Sequence, residues 1–422
     1  MIFVQQIDYQ VCIIVCSSEI TLCSAFFGTL SAILSDSFWK IFAEKVKKLE
    51  IGTPLPPCNF FFKRALCDVT EIFVLLRNFY SIYMKRTLLT ITAILLVGLL
   101  YSQKPGSKAV IAFYNVENLF DTIDDPNKND EQFLPDNDYR WNTERYNTKL
   151  DHLSKVISEI AKLDGGLVVL GVSEIENEQV LLDLAATELL RPYHLSVCHH
   201  ESPDRRGVDV AFLYDASRFR ILSTRAFPTI VPNNPDFITR DQWLMTGVLD
   251  GIDTLDIVVN HWPSKSGGEQ RSLPGRLAAG QLGRSIADSV LNSRPNAKFI
   301  YMGDLNDNPT SKCIIAEMAT KTKPEKLTST DLYNPMWKLF RDGLGSYAYR
   351  DSWEMLDNII ISGGLVNAAP GTYKFRSAHI FRKEFMFTKS GSYIDYPFRS
   401  FASGNYQGGY SDHLPVYIVL TR

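Results

Sequence analysis

From residue 108 onward the chain alternates short apolar, β-branched runs with longer stretches in which apolar residues recur every three or four positions. The first kind, at 110–115, 167–173, 208–214, 244–249, 255–260, 298–302, 358–362 and 416–420, predicts strands, several of them apolar throughout as strands buried on both faces are. The second kind predicts helices at 142–163, 179–190 and 275–291. In the first helix Tyr146, Leu150, Leu153, Ile157, Ile160 and Leu163 share one face, and the second is expected to stop at Pro192. Alternating strands and helices, with some strands following directly on strands, point to one mixed α/β domain.

The first 102 residues read differently. Residues 84–102, MKRTLLTITAILLVGLLYS, run from a Met and two basic residues through an apolar stretch to a small residue, the order of a secretory signal peptide. Such a peptide belongs at a start codon, so translation is expected to begin at Met84, with residues 1–83 an upstream extension and 103–422 the mature chain. The rival expectation is a membrane anchor at 84–102, with residues 11–34 as a second span. The apolar run 88–100 has thirteen residues, short for a span of about 20, which favours the signal peptide and therefore export.

Composition adds limits. With 45% hydrophobic and 22% charged residues the chain lies in the globular range, which excludes wholesale disorder, a fibre and a polytopic membrane protein. The first 102 residues hold two more basic than acidic side chains, so the remainder carries −5 against −3 for the whole chain. Bulk charge does not pull such a protein onto a polyanion, and a phosphate substrate has to be met by local cations or a metal. Five of the seven cysteines precede residue 84, leaving Cys198 and Cys313 beyond it.

The polar residues of interest sit at the ends of the apolar runs, where α/β folds place ligand sites. Asn115 and Glu117 end the first strand in FYNVEN, Glu174 the second in LGVSEIEN, and His261 a later one in IVVNHWPS. Asp304 and Asn306 follow the strand FIYM in GDLND, Asp357 precedes NIIIS, and Asp412 and His413 in YSDHLP precede the last strand. This oxygen-rich set with histidines suits Mg²⁺ or Mn²⁺, the histidines being free for proton transfer. Zinc is disfavoured, there being no CxxC pair and no HExxH helix.

Taken singly these residues read as turns, caps and structural histidines. As an ordered series, NVEN, SEIEN, GVDVAFLY, NHWPS, GDLND, LDNIIIS and SDHLP resemble the endonuclease/exonuclease/phosphatase superfamily of metal-dependent phosphoesterases over about residues 108–421, with GDLND and SDHLP the specific pieces. The resemblance implies an α/β fold in four layers, two mixed β-sheets packed face to face with helices outside, and a site at one edge of the sandwich. By motif, Glu174, Asn115 and Asp412 match the metal side of the site, with Glu174 the principal ligand. Asp304 and Asn306 match the pair that orients the attacking water and holds the phosphate, His413 the catalytic histidine and Asp357 its carboxylate partner. His261 matches a phosphate-contacting histidine present in deoxyribonucleases and sphingomyelinases and replaced in apurinic endonucleases, which argues against abasic-site repair.

These roles make physical sense: a metal neutralises the charge on a phosphodiester, and a carboxylate bonded to one ring nitrogen fixes a histidine's tautomer and favours its cation. The general base stays open between Asp304 and His413. Substrate choice depends on loops. Lys265 and Arg276 in SKSGGEQRSLPGR, and Arg206 before GVDVAFLY, are expected to contact phosphate. The segment 370–410 interleaves aromatic and basic residues, on which bases could stack, a lipid or protein could dock, or which could pack inward as a lid. The stretch NHWPSKSGG is more similar to secreted nucleases than to inositol phosphatases. The expectation is an exported Mg²⁺-dependent nuclease with a nucleic-acid phosphodiester as partner. The alternatives are a phosphomonoesterase or lipid phosphodiesterase, and last a non-catalytic binding protein, disfavoured because every matched position keeps a competent residue.

Overall fold

The computed structural model describes residues 12–16, 19–23, 84–92 and 108–422, apart from residues 233 and 266. The chain divides into two units, Met1–Gln103 and Lys104–Arg422. In the first, Cys12–Cys16 and Glu19–Cys23 pair as an antiparallel hairpin and residues 84–92 are helical. The rest of the expected signal peptide or anchor, 93–102, and most of the expected extension 1–83 lie outside the described residues. Among the described residues no helix is long and apolar enough to cross a membrane.

The second unit holds two mixed sheets. Numbered in chain order, the strands are β1 (Lys108–Leu119), β2 (Leu167–Ile175), β3 (Leu195–His200), β4 (Asp209–Asp215), β5 (Phe219–Phe227), β6 (Gln242–Leu249), β7 (Asp253–His261), β8 (Lys298–Asp304), β9 (Thr320–Lys321), β10 (Leu332–Tyr333), β11 (Asp357–Ser362), β12 (Lys374–Ile380) and β13 (Val416–Thr421). One sheet runs β12-β13-β1-β2-β4-β3 and the other β9-β10-β11-β8-β7-β6-β5. The three longer helices are α1 (Thr143–Ala161), α2 (Glu178–Ala186) and α3 (Glu269–Ser293). α1 crosses over between the parallel pair β1 and β2, and α3 between the parallel pair β7 and β8.

Period-two alternation within buried strands builds the layers. Along β1, Ala109, Ile111 and Phe113 enter a core shared with Ile257, Val259, Ile300 and Met302 of the other sheet. The residues between them, Val110, Ala112, Tyr114 and Val116, pack against the α1 face made by Tyr146, Leu150, Leu153, Ile157 and Ile160. β8 divides the same way, with Ile300 and Met302 between the sheets and Phe299 and Tyr301 under α3. The order is therefore helices, sheet, sheet, helix, the expected four-layer α/β sandwich. Close approach fixes the spacing: a Cβ on Gly171 would stand 2.7 Å from Met302 Cε across the sheet interface.

The predicted strands and helices form with shifted ends. The second helix ends at Ala186, before the expected stop at Pro192, because Thr187 turns extended and bonds its hydroxyl to the Leu184 carbonyl. α3 begins at Glu269 rather than 275, carrying Pro274 inside it, so part of the expected phosphate loop is helix. β3, β5 and β12 escape the apolar pattern because they lie at sheet edges, where exposed positions such as Arg220, Thr224 and Arg225 of β5 break it up. Cys198 and Cys313 are both free.

Candidate active site

Strand register assembles the site. In one sheet β7 and β8 end together while antiparallel β11 begins beside them, so His261, Asp304 and Asp357 stand in one cross-strand row. In the other, Asn115 pairs with Ser173, and the register then skips to Leu119 opposite Ile175. Glu174 falls in that irregularity with φ +61°, a region costing a side-chain-bearing residue about 1–2 kcal/mol. The carboxylate so placed accepts Asn115 Nδ2 on Oε1 at 3.1 Å and the Asn118 backbone N–H on Oε2 at 3.1 Å. Asn306, also at positive φ, turns the chain just after β8 and donates its backbone N–H to Asp304 Oδ1 at 2.8 Å.

Asn115 Nδ2 also donates to Asp304 Oδ2 at 3.0 Å, so one amide joins the two sheets' carboxylates. His261 Nε2 lies 3.6 Å from Asp304 Oδ2 and 3.8 Å from Glu174 Oε1. Burial, which leads Asp357 and Glu174 in raising it and outweighs nearby His413, lifts the Asp304 carboxyl to about 7. Burial, then the charges of Arg240, Arg206 and His413, holds His261 well below the usual imidazole range, so it is neutral. The carboxylates of Glu174 and Asp304, with His261 Nε2 beside them and all three atoms within 4.8 Å of one another, form an oxygen-rich set that fits a divalent cation, the neutral imidazole standing at its edge. Asn115, expected as a metal ligand, gives its oxygen to the Glu117 backbone N–H at 2.9 Å and its N–H groups to the carboxylates, so here it aligns the ligands.

Beside this set stands a second. His413 Nδ1 meets Asp357 Oδ2 at 2.7 Å, and His413 Nε2 lies 3.8 Å from Asp304 Oδ2 and 4.0 Å from Asp412 Oδ1. Burial pulls the His413 pKa down, but Asp357 and Asp304 outweigh it and hold the imidazole well above its usual range, hence cationic. The turn is anchored by Ser411, whose hydroxyl donates to the Asn115 carbonyl at 2.7 Å and accepts the His413 N–H at 3.0 Å. The Tyr347 ring lies 4.9 Å from the imidazole, centre to centre. Asp412 is raised by burial ahead of repulsion from Glu174, which places it within electrostatic reach of the metal set. Asn306 spends a side-chain N–H on the Trp262 carbonyl at 3.0 Å.

The expected phosphate contacts fare unequally. Arg206 is half exposed, 3.9 Å from Asp204, and close enough to His261 to depress it. Lys265 stands between Asp307 at 3.7 Å and Glu354 at 3.6 Å. Arg276 requires correction: it is fully buried, bonded to Asp307 Oδ2 at 3.0 Å and to the Ser272 hydroxyl at 2.6 Å, so it braces the 304–307 turn and is closed to substrate. The aromatic segment mostly takes the inward option, with Phe381 and Tyr410 buried and Phe385, Phe387, Phe398, Phe401 and Tyr406 packed on the α1 cluster.

Three residues near the site escaped sequence reading. Arg240 is buried behind His261, donating to the Trp262 carbonyl at 2.8 Å and to Asp204 at 3.1 Å. Lys149, on the buried face of α1, donates to Ser400 Oγ and to the Tyr410 carbonyl, each at 2.7 Å. A lysine one position before Leu150 in an apolar helical stripe was its legible signal. Tyr347 carried none, while Arg399 was legible as one of the basic residues interleaved with aromatics in 370–410.

The sequence model described as Endonuclease/Exonuclease/phosphatase family matches residues 110–422. Among curated proteins none matches. Solved structures similar to this chain include D. rerio TDP2 complexed with a single-strand DNA product (13% identity, 75% of this chain and 100% of that one, TM-score 0.45). Others are ANGEL2, a 2',3'-cyclic phosphatase (12%, 75% and 95%, TM-score 0.48), and a mannosyl-6-phosphatase of Bacteroides thetaiotaomicron VPI-5482 (14%, 74% and 98%, TM-score 0.43). The family match spans both sheets and every residue of the two clusters, and by it the chain belongs to the endonuclease/exonuclease/phosphatase family of phosphoesterases.

Proposed function

We propose that this phosphoesterase is an exported Mg²⁺-dependent nuclease that hydrolyses DNA or RNA phosphodiesters by attack of water in line with the leaving oxygen. The observation that carries the reading is the pair of histidines in different charge states about Asp304, neutral His261 at 3.6 Å and cationic His413 at 3.8 Å. A Mg²⁺ or Mn²⁺ ion held by Glu174 and Asp304, with Asp412 at its margin, would supply neutralisation of the non-bridging oxygens. Asp304, whose Oδ2 lies between the two histidines, would orient the attacking water and accept its proton, since His413 already holds its own. His261, if its proton is on Nε2, donates a hydrogen bond to the phosphate, and His413 does so as charge builds. The nuclease choice rests on His261 and the NHWPSKSGG stretch, and export on the order of residues 84–102.

The test is hydrolysis of plasmid DNA, RNA, sphingomyelin and inositol phosphates with Mg²⁺ or EDTA, beside His413→Ala. Metal-dependent nicking lost in the variant is expected. Intact nucleic acid with a cleaved lipid or inositol phosphate would transfer the same site to another substrate. N-terminal sequencing of the protein recovered from cells is expected to begin near Gln103, and a retained Met84 would refute export by cleavage.

A further inference from the structure

We propose that Arg399 is a phosphate-binding residue of this site, reaching the substrate from the side of Asp412. The inference rests on the phosphoesterase reading and not on the choice of nucleic acid.

The backbone around Arg399 is held from both sides. Glu117 accepts the Ser400 N–H at 2.6 Å, and Lys149 ties Ser400 Oγ to the Tyr410 carbonyl. The Gly409 N–H donates to the Arg399 carbonyl at 3.1 Å, and a Cβ on Gly409 would stand 2.3 Å from that carbonyl oxygen. Position 399 is therefore fixed against the stretch that leads into Asp412 and His413. Its guanidinium carbon lies 5.9 Å from the ring centre of Tyr347 and 5.7 Å from that of Tyr393. Tyr347 in turn packs on the His413 imidazole, which puts the cation one ring away from the proton-bearing group.

What marks Arg399 is a donor left over on a guanidinium with no carboxylate partner among the described residues; Arg240 Nε is left over too, but Asp204 holds that guanidinium. The Arg399 Nε is buried without a hydrogen-bond partner, and among the described residues no carboxylate stands within 4.0 Å of it. A buried charged donor in that state is costly unless something anionic completes it. Glu117 already has its counter-charge in Lys149 at 3.7 Å, and the Arg399 charge is felt at Asp412, where burial raises the carboxyl and the guanidinium lowers it. Other cations near the site are committed elsewhere: Arg276 to Asp307, Arg240 to Asp204 and the Trp262 carbonyl, and Lys265 between Asp307 and Glu354. A site of four carboxylates, Glu174, Asp304, Asp357 and Asp412, admits an anion only with positive charge at its rim. Arg399, planar and forked, is suited to paired phosphate oxygens.

The experiment uses the full chain with Mn²⁺ and compares wild type, Arg399→Ala, Arg399→Lys and, as a control at an exposed arginine, Arg350→Ala. Inorganic phosphate binding is measured by calorimetry, steady-state hydrolysis with bis(p-nitrophenyl) phosphate, and Mn²⁺ affinity by titration. In Arg399→Ala, phosphate affinity and kcat/KM are each expected to fall roughly 10- to 100-fold. Mn²⁺ affinity should be kept or tightened, because a cation beside Asp412 has been removed. Arg399→Lys is expected to recover part of the loss and Arg350→Ala to match wild type. Unchanged phosphate affinity in Arg399→Ala overturns the proposal. So does loss of Mn²⁺ binding along with activity, which marks a structural role. A wild type that cleaves no phosphodiester, with phosphate affinity still falling in Arg399→Ala, refutes the proposed function and leaves Arg399 standing.

Discussion

Replacing Asp357 by Asn tests the electrostatics of the dyad. His413 Nδ1 and Asp357 Oδ2 are 2.7 Å apart and both side chains are buried. Two unit charges at that separation with an effective dielectric of 20 interact by about 6 kcal/mol, an upper bound equivalent to roughly 4 pKa units at 1.36 kcal/mol each. Burial opposes that attraction, and with Asp357 neutral only Asp304 and Asp412 remain to hold the proton against it. In Asp357→Asn the imidazole is therefore expected to fall by well over one unit from its wild-type position, toward the ordinary value of about 6.5. The assay is histidine NMR titration of the EDTA-treated protein, with His413→Ala identifying the resonance. Stability follows by linkage. A folded pKa above the unfolded one makes the dyad stabilising at pH below about 6.5, the contribution fading as pH rises through the folded value. In the variant that contribution shrinks, because the folded pKa moves toward the unfolded one. Turnover should fall about 10²-fold or more. If His413 in Asp357→Asn titrates within about one unit of wild type, the argument that Asp357 governs its charge is wrong.

Glu174→Gln keeps an oxygen for Asn115 Nδ2 but loses the anion, so Mn²⁺ affinity should drop at least tenfold, an estimate of order 1.4 kcal/mol, while the melting temperature holds or rises. Equal Mn²⁺ affinity would remove Glu174 from the metal set. Arg276→Met leaves Asp307 buried without its guanidinium and should cost about 3–5 kcal/mol in urea unfolding. Phosphate affinity of the folded variant should stay at the wild-type level, and a fall there would restore Arg276 as a phosphate contact.

How much of this was legible follows from where each residue sits. Strands buried on both faces, such as β1, β2, β7 and β8, announce themselves by unbroken apolar runs, and α1 by its stripe. Edge strands do not, because half their surface faces water and β5 reads as polar as a loop. The sequence puts the start of α3 six residues late, since the stretch 269–274 is largely polar, contains a proline and carries no apolar stripe of its own. That error carried Arg276 onto a phosphate loop when it belongs to a buried face.

The site itself was legible at the level of strand ends and not at the level of geometry. His261, Asp304 and Asp357 were each visible as polar punctuation after or before an apolar run, yet their common row depends on β11 running opposite to β8, which no local pattern encodes. Asp304 shows why that matters. One of its oxygens, Oδ2, takes the Asn115 N–H and faces both histidines, while Oδ1 is fixed by Asn306, so the metal set and the dyad share a single carboxylate. The two histidines are then driven apart in charge by what lies behind them: Asp357 behind His413, and Arg240 with Arg206 near His261. Arg240 was absent from the sequence reading for a physical reason, since a buried arginine far along the chain acts on His261 through space and leaves no spacing to read. The charges that set the chemistry are thus the part of the site that only the fold could disclose.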